Sequence, residues 1–198
     1  MTWLEPVTLK SDHAILEPLD RRHESDLIEA ARDGELWNLW YTNVPTEAEV
    51  GTQIDHWLEL QKAGSMLPFA VIEPDSGMAI GITTYMAADE ANRRLEIGRT
   101  WYRRRVQRTA LNTSCKLLLL THAFEELDCI AVEFRTHFFN RDSRRGIERL
   151  GAKLDGILRS HQIAKNGTLR DTCVYSIIAA EWPTVKANLS WQLSRSRD

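Results

Sequence analysis

Trp101-Tyr102-Arg103-Arg104-Arg105-Val106-Gln107-Arg108-Thr109-Ala110-Leu111-Asn112-Thr113 joins two periodicities. Before it, Arg94–Tyr102 alternates as a strand, with Leu95 and Ile97 against Glu96 and Gly98. After it, Leu117, Leu120, Thr121, Phe124 and Leu127 mark one face of a helix expected over Thr109–Leu127. A strand follows over Ile130–Phe138, so strand, helix and strand form a parallel crossover unit. The free N–H groups of a helix's first turn, backed by the helix dipole, make an anion site. Four arginines crowd that terminus, where cations are mildly unfavourable. Either an anion binds there or the stretch is a basic surface loop.

Working outward, Val7–Leu19 reads as one strand ended by Pro18. Asp20 caps a helix through Leu27, Ile28, Ala30 and Ala31, closed by Gly34. Thr46 and Glu49 fit a capping box opening a second helix through Val50, Ile54, Trp57 and Leu58. Leu67–Ile72 and Met78–Met86 form a hairpin about Pro74-Asp75-Ser76-Gly77. A helix over Asn140–Leu150 stops at Gly151. Ala152–Gln162 and Leu169–Ile178 flank Lys165-Asn166-Gly167, and Asn-Gly is a strong hairpin signal. Glu181-Trp182-Pro183 opens a last helix, and Ser194–Asp198 is expected to fray. The fold class is therefore mixed α/β, in one domain over residues 1–198 with its core at about 14–185.

Composition narrows the function. At 198 residues, 43% hydrophobic and 27% charged, the chain can bury an ordinary core. The apolar run Leu117–Leu120 is far below the ~18 residues of a membrane span, and Met1–Glu5 lacks signal-peptide character. Cys115, Cys129 and Cys173 show no CxxC spacing, which argues against a disulfide framework or a zinc site and for a reducing cytoplasm. Charge is split. Residues 1–91 hold 5 Lys and Arg against 17 Asp and Glu, while the rest hold 20 against 11. The basic half suits nucleic acid, a phosphorylated cofactor or plain solvated surface. No nucleic-acid motif or interleaved aromatic series accompanies it.

The combination Leu95-Glu96-Ile97-Gly98, Gln107-x-x-Ala110-x-Asn112-Thr113, His122-Ala123-Phe124-Glu125-Glu126-Leu127, Asn140-x-x-Ser143 and Glu148-x-Leu150-Gly151-Ala152 resembles the GCN5-related N-acetyltransferase (GNAT) family. Within it, the chain is most similar to the RimJ/RimL-type branch of ribosomal-protein N-acetyltransferases, over roughly Ala14 to Val185. The resemblance implies a GNAT fold: a mixed, mostly antiparallel sheet of about six to seven strands, helices on both faces, and a cofactor cleft between two splayed parallel strands. It implies acetyl-CoA as co-substrate, no metal, and direct transfer of acetyl to a primary amine, either a protein N-terminus or a small molecule. The alternative is a GNAT-fold protein that binds acyl-CoA or a peptide with little turnover. Neither nucleic acid nor membrane is an implied partner, and the branch suggests a homodimer.

The family's pyrophosphate loop falls on Gln107, Arg108, Thr109, Ala110, Leu111, Asn112 and Thr113, with both family glycines replaced, by Ala110 and Asn112. Trp101 and Tyr102 match the strand end that bonds the pantetheine arm, and Asn140 the side chain that bonds it from the other side. Where many relatives carry an acid tyrosine, this chain has Ile147, and Ser143 matches the branch's proposed proton donor to sulfur. Ser143 could equally satisfy a backbone donor in the helix's first turn. For the base, Glu96 competes with a salt-bridged reading of itself and with His161 and Asp171, since the branch's glutamate aligns with Gln162. Arg104, Arg105, Arg108, Arg144 and Arg145 are candidates for the coenzyme's phosphates. Cys115 reads as core, and His56, His122 and His137 lack ligand spacing. Trp37, Trp40, Tyr41 and Trp57 read as helix packing or as an acceptor pocket.

Overall fold

The structure, a computed structural model, describes residues 3–195. Part of the frayed tail expected from the sequence, residues 196–198, lies outside them. The chain forms β1 (Leu9–Lys10), β2 (Ile15–Pro18), α1 (Glu24–Arg32), α2 (Val50–Lys62), β3 (Met66–Ile72), β4 (Ala79–Asp89) and β5 (Arg94–Tyr102). Then come α3 (Leu111–Thr121), β6 (Ala131–His137), α4 (Arg141–Arg149), β7 (Lys153–Ile163), β8 (Leu169–Ile178) and α5 (Trp182–Ser194).

The strands make one sheet in the order β1-β2-β3-β4-β5-β6-β8-β7. Every neighbouring pair is antiparallel except β5 and β6, the two strands joined through α3. Eight strands appear where about six to seven were expected, because Val7–Leu19 is two strands. Ser11 takes the chain round a turn: its N–H donates to the Ala14 carbonyl at 2.9 Å and its hydroxyl accepts from the Ala14 N–H at 3.1 Å. Alternation alone cannot register a turn that short.

Side chains alternate into two cores, one on each sheet face. Leu67, Phe69 and Val71 of β3 join α3, α4 and α5 through Cys115, Leu119, Ile147 and Leu189. Met66, Ala70 and Ile72 join α1 and α2 through Leu27, Ala31, Ile54 and Trp57. The helix after β5 is shorter than its periodicity suggests. It begins at Leu111 and passes at His122–Glu126 into one π-helical turn, closed by the Leu127 N–H on the His122 carbonyl at 3.0 Å.

Candidate active site

β5 and β6 pair only where Arg94, Leu95 and Glu96 stand beside Ala131, Val132 and Glu133. Beyond that point β5 keeps β4 as its partner and β6 keeps β8, so a wedge opens between them. Backbone groups that point into the wedge have no strand partner. A bulge shapes its β5 side. Thr84 faces Gly98 and Ile82 faces Trp101, so three steps on β5 answer two on β4, with Arg99 at φ 48°. The bulge resets the alternation: Ile97 and Tyr102 both enter the α3 core, and Trp101 enters the α1–α2 core.

The loop after β5 is held by its own side chains. Gln107 donates through Nε2 to the Tyr102 carbonyl at 3.1 Å. The Thr109 hydroxyl donates to the Val106 carbonyl at 2.7 Å and accepts the Leu111 N–H at 3.2 Å. The positive φ of this loop falls on Arg108, at 64°. Ala110 is right-handed helical and Asn112 lies inside α3, so neither position needs the glycine it replaces. Asn112 instead accepts the Tyr102 hydroxyl on Oδ1 at 3.1 Å. Among the described residues, the N–H groups of Thr109, Ala110, Asn112 and Thr113 meet no hydrogen-bond acceptor. They form an open row at the positive end of a helix dipole, a cradle that fits phosphate oxygens.

The arginines there divide. Arg105 grips Glu73 bidentately at 2.7 and 2.6 Å, which with the Ser76 hydroxyl holds the Glu73 carboxyl down to about 2. Arg103 reaches Asp33 at 3.2 Å and Glu29 at 3.7 Å. Both therefore clamp the loop to α1 and β3, a structural purpose that sequence reasoning did not find. Arg104 is exposed, its stem packed over Gly34. Arg144 bonds the Tyr175 hydroxyl at 3.0 Å and lies over the Phe138 ring, while Arg145 pairs with Asp142 at 2.6 Å on the surface.

Across the wedge, Asn140 caps α4 by accepting the Ser143 N–H on Oδ1 at 3.1 Å, leaving its amide N–H groups available. The Ser143 hydroxyl is half-buried and without a hydrogen-bond partner among the described residues. It therefore does not serve a backbone group. Ile147 is buried in the core.

Glu96 sits at the narrow end, level with Glu133, on the sheet face opposite Leu95. It is buried, its Oε2 3.6 Å from Arg135 Nε, and desolvation holds its carboxyl above the ordinary range despite that cation. Its rivals are engaged elsewhere. Asp171 accepts Ser160 N–H at 2.8 Å and Arg159 Nε at 2.6 Å, which keeps it below the usual carboxylate range, and His161 Nδ1 meets the Thr172 hydroxyl at 3.1 Å. Gln162 stands beside Arg170 in the hairpin register. From Glu133 to His137, at the mouth, the wedge runs ~13 Å at ~3.3 Å per residue.

The aromatic set also divides. Trp57 is core between α1 and α2, whereas Trp40 stands exposed against His137 at the end of β6. Nothing in the local sequence joins those two residues, which lie nearly a hundred positions apart. Among the described residues no group of three or more His, Cys, Asp or Glu is placed to hold a metal ion, and no helix is long and apolar enough to cross a membrane.

Known proteins agree with this geometry. The chain is 31% identical over 106 residues to YdaF of Bacillus subtilis (strain 168), named provisionally as a ribosomal N-acetyltransferase. That match spans 54% of this chain and 57% of the relative's length. A GCN5-related N-acetyltransferase from Brucella melitensis superposes with a TM-score of 0.86 at 30% identity, over 96% of this chain and 87% of that one. RimL, a ribosomal L7/L12 alpha-N-protein acetyltransferase solved with coenzyme A, shares the fold at a TM-score of 0.74 and 18% identity, over 87% of this chain and 98% of that one. The model of the acetyltransferase (GNAT) domain matches residues 13–153. That span runs from the turn before β2 to the first residue of β7, so it takes in the wedge, the N–H row and α4, and the chain belongs to the GNAT acetyltransferase family.

Proposed function

We propose that residues 1–198 act as one catalytic unit, an acetyl-CoA-dependent N-acetyltransferase of the RimJ/RimL type acting on a primary amine in the cytoplasm. The observation that carries this reading is the row of open N–H groups at Thr109, Ala110, Asn112 and Thr113, set at the mouth of a wedge between parallel strands. The names of YdaF and RimL favour a protein N-terminus as acceptor. Three free, buried cysteines suit a reducing compartment.

Acetyl-CoA supplies the acetyl group as a thioester. One amine and one thioester give one amide and one thiol, and the ammonium form of the amine releases one further proton. The N–H row and Arg108 hold the pyrophosphate, while the backbone of Trp101 and Tyr102 and the amide of Asn140 hold the pantetheine arm. Gln107, Thr109 and Leu111 shape that loop, and Arg145 offers a surface contact for the coenzyme's outer phosphate. Glu96 takes the ammonium proton, directly or through water, and the raised affinity of its carboxyl for protons suits that task. Ser143 donates its unpartnered hydroxyl to the departing sulfur.

The test is a thermal melt with acetyl-CoA followed by a thiol-release assay over peptides and small amines. Acetyl-CoA is expected to raise the Tm by linkage, and at least one amine to release free thiol. No shift at millimolar acetyl-CoA overturns cofactor binding. A shift without thiol release from any amine favours a binding protein instead.

A further inference from the structure

Lys116, the sixth residue of α3, is 5% exposed. Its Nζ donates to the Thr100 hydroxyl of β5 at 2.7 Å and to the Thr83 hydroxyl of β4 at 3.0 Å. An ammonium has three donors, so one N–H is left without an acceptor among the described residues. The one neighbouring group whose charge bears on it is the Cys115 thiol, which burial pushes up to about 12 and so keeps neutral. Burial pushes the ammonium itself down to about 8. Buried charges in proteins are as a rule paired, and this one has no counter-ion within the chain.

Its place along the wedge narrows the choice of partner. Three contacts tie α3 to the sheet in sequence: the Tyr102 hydroxyl with Asn112, the Thr100 and Thr83 hydroxyls with Lys116, and the Tyr85 hydroxyl with the Leu119 carbonyl. Burial keeps both phenols neutral. Lys116 therefore lies one helical turn beyond Asn112, away from the N–H row. Thr100 stands between Tyr102 at the mouth and Glu96 at the narrow end, past the last β5–β6 pair. It is half-buried at the open edge of β5.

We propose that Lys116 is the counter-charge for the sulfur that departs in acetyl transfer: its ammonium, fixed under the wedge by Thr83 and Thr100, stabilises the coenzyme A thiolate as it forms. The proposal rests on the acetyltransferase reading above. In that reaction the C–S bond breaks with its electron pair on sulfur. The amine's first proton goes to Glu96, and its second, lost as the amide forms, reaches the sulfur through water. The thioester is neutral, so a cation at this depth favours the departing sulfur over the bound substrate. An ammonium already held by two hydroxyls needs no reorganisation when that charge appears. The pyrophosphate is the coenzyme's other anion, but its cradle at the N–H row lies a helical turn away from Lys116.

The experiment titrates the unmodified protein and Lys116→Met, each saturated with coenzyme A, and follows the thiolate by its ultraviolet absorbance. Thr83 and Thr100 also bond each other at 2.8 Å, so Lys116→Met leaves both hydroxyls partnered. The bound thiol is expected to ionise at least about one pH unit lower in the unmodified protein than in the variant. The carbon-13 resonance of the Lys116 ε-carbon gives the reciprocal reading and needs no variant. Coenzyme A should raise the titration of this amine, whereas desulfo-coenzyme A, with the same phosphates and no sulfur, should leave it near its value in the free protein. With n-propylamine as acceptor, Lys116→Met should lower kcat at least about tenfold with the acetyl-CoA KM little changed. A thiol that ionises alike in the two proteins, or an equal rise with desulfo-coenzyme A, overturns the proposal while sparing the reading beneath it. An unmodified protein that binds neither coenzyme A nor acetyl-CoA at millimolar concentration overturns both.

Discussion

The hydroxyl of Tyr102 donates to Oδ1 of Asn112 at 3.1 Å, tying the last residue of β5 to the first turn of α3. Burial holds that hydroxyl well above its ordinary pKa, so it remains a donor throughout the working range. Removing that acceptor leaves the buried O–H only the Cys115 sulfur, a weak acceptor, at a cost of ~1–3 kcal/mol. Asn112→Ala should therefore lower the Tm by several degrees, at about 2–4 °C per kcal/mol for a chain of this size. It should also weaken acetyl-CoA binding, because the N–H row is positioned by the same turn. Paired melts with and without acetyl-CoA measure both effects. An unchanged acetyl-CoA shift in Asn112→Ala would mean that the N–H row keeps its place without this bond.

How the sequence foretold that turn is uneven. The strand, loop and helix were legible from period and from Arg103–Thr113, since β5 runs from Arg94 to Tyr102 as its alternation indicates. Asn140, Gly151 and the Thr46–Glu49 pair likewise do what their local chemistry requires. What escaped were relations between distant residues. Arg105 with Glu73, Arg103 with Asp33 and Trp40 with His137 are each set by the sheet order, which no short-range pattern carries. The left-handed residue of the loop also escaped, because it is Arg108 and not a glycine. The bulge at Arg99 hid for the same reason.

Ser143 and Asn140 should separate kinetically. The Ser143 hydroxyl is unpartnered, so Ser143→Ala costs little stability. If it bonds the departing sulfur, kcat falls about ten- to a hundredfold, or roughly 1.4–2.7 kcal/mol, with the acetyl-CoA KM little changed. Asn140→Ala removes both the α4 cap and an amide facing the wedge. It should lower stability by ~1 kcal/mol and raise the acetyl-CoA KM. Full kcat in Ser143→Ala, measured by thiol release, would leave that hydroxyl without a catalytic part.

Glu96 predicts a pH profile. A general base works as its carboxylate, and burial raises its proton affinity above the ordinary value of 4.5. kcat/KM should therefore rise with pH, with a midpoint displaced upward from 4.5. Glu96→Gln should lower kcat/KM by roughly 10²–10⁴-fold and abolish that acid limb. The pH dependence of both proteins with the best peptide decides it. A limb that survives in Glu96→Gln belongs to another group.

Lys116 makes a prediction about stability. Its ammonium is buried under the β5 bulge, where Nζ donates to the Thr100 hydroxyl at 2.7 Å and the Thr83 hydroxyl at 3.0 Å. The two hydroxyls are 2.8 Å apart, and no carboxylate lies within ion-pair distance of Nζ among the described residues. Burial without a counter-charge pushes Lys116 down to about 8 from 10.5. Below pH 8 both the folded and unfolded chains carry this proton, and the penalty of the buried charge is paid in full. Between about 8 and 10.5 the folded chain has released it while the unfolded chain still holds it. Stability rises with pH wherever the unfolded state binds more protons. The unmodified protein should therefore gain about 3 kcal/mol relative to Lys116→Met across that window, at 1.36 kcal/mol per unit. Taking the difference between the two proteins cancels the other groups that titrate there. Urea unfolding of both at several values from pH 7 to 10.5 measures it, and a constant difference would mean that the buried amine stays charged, held by the two threonines alone.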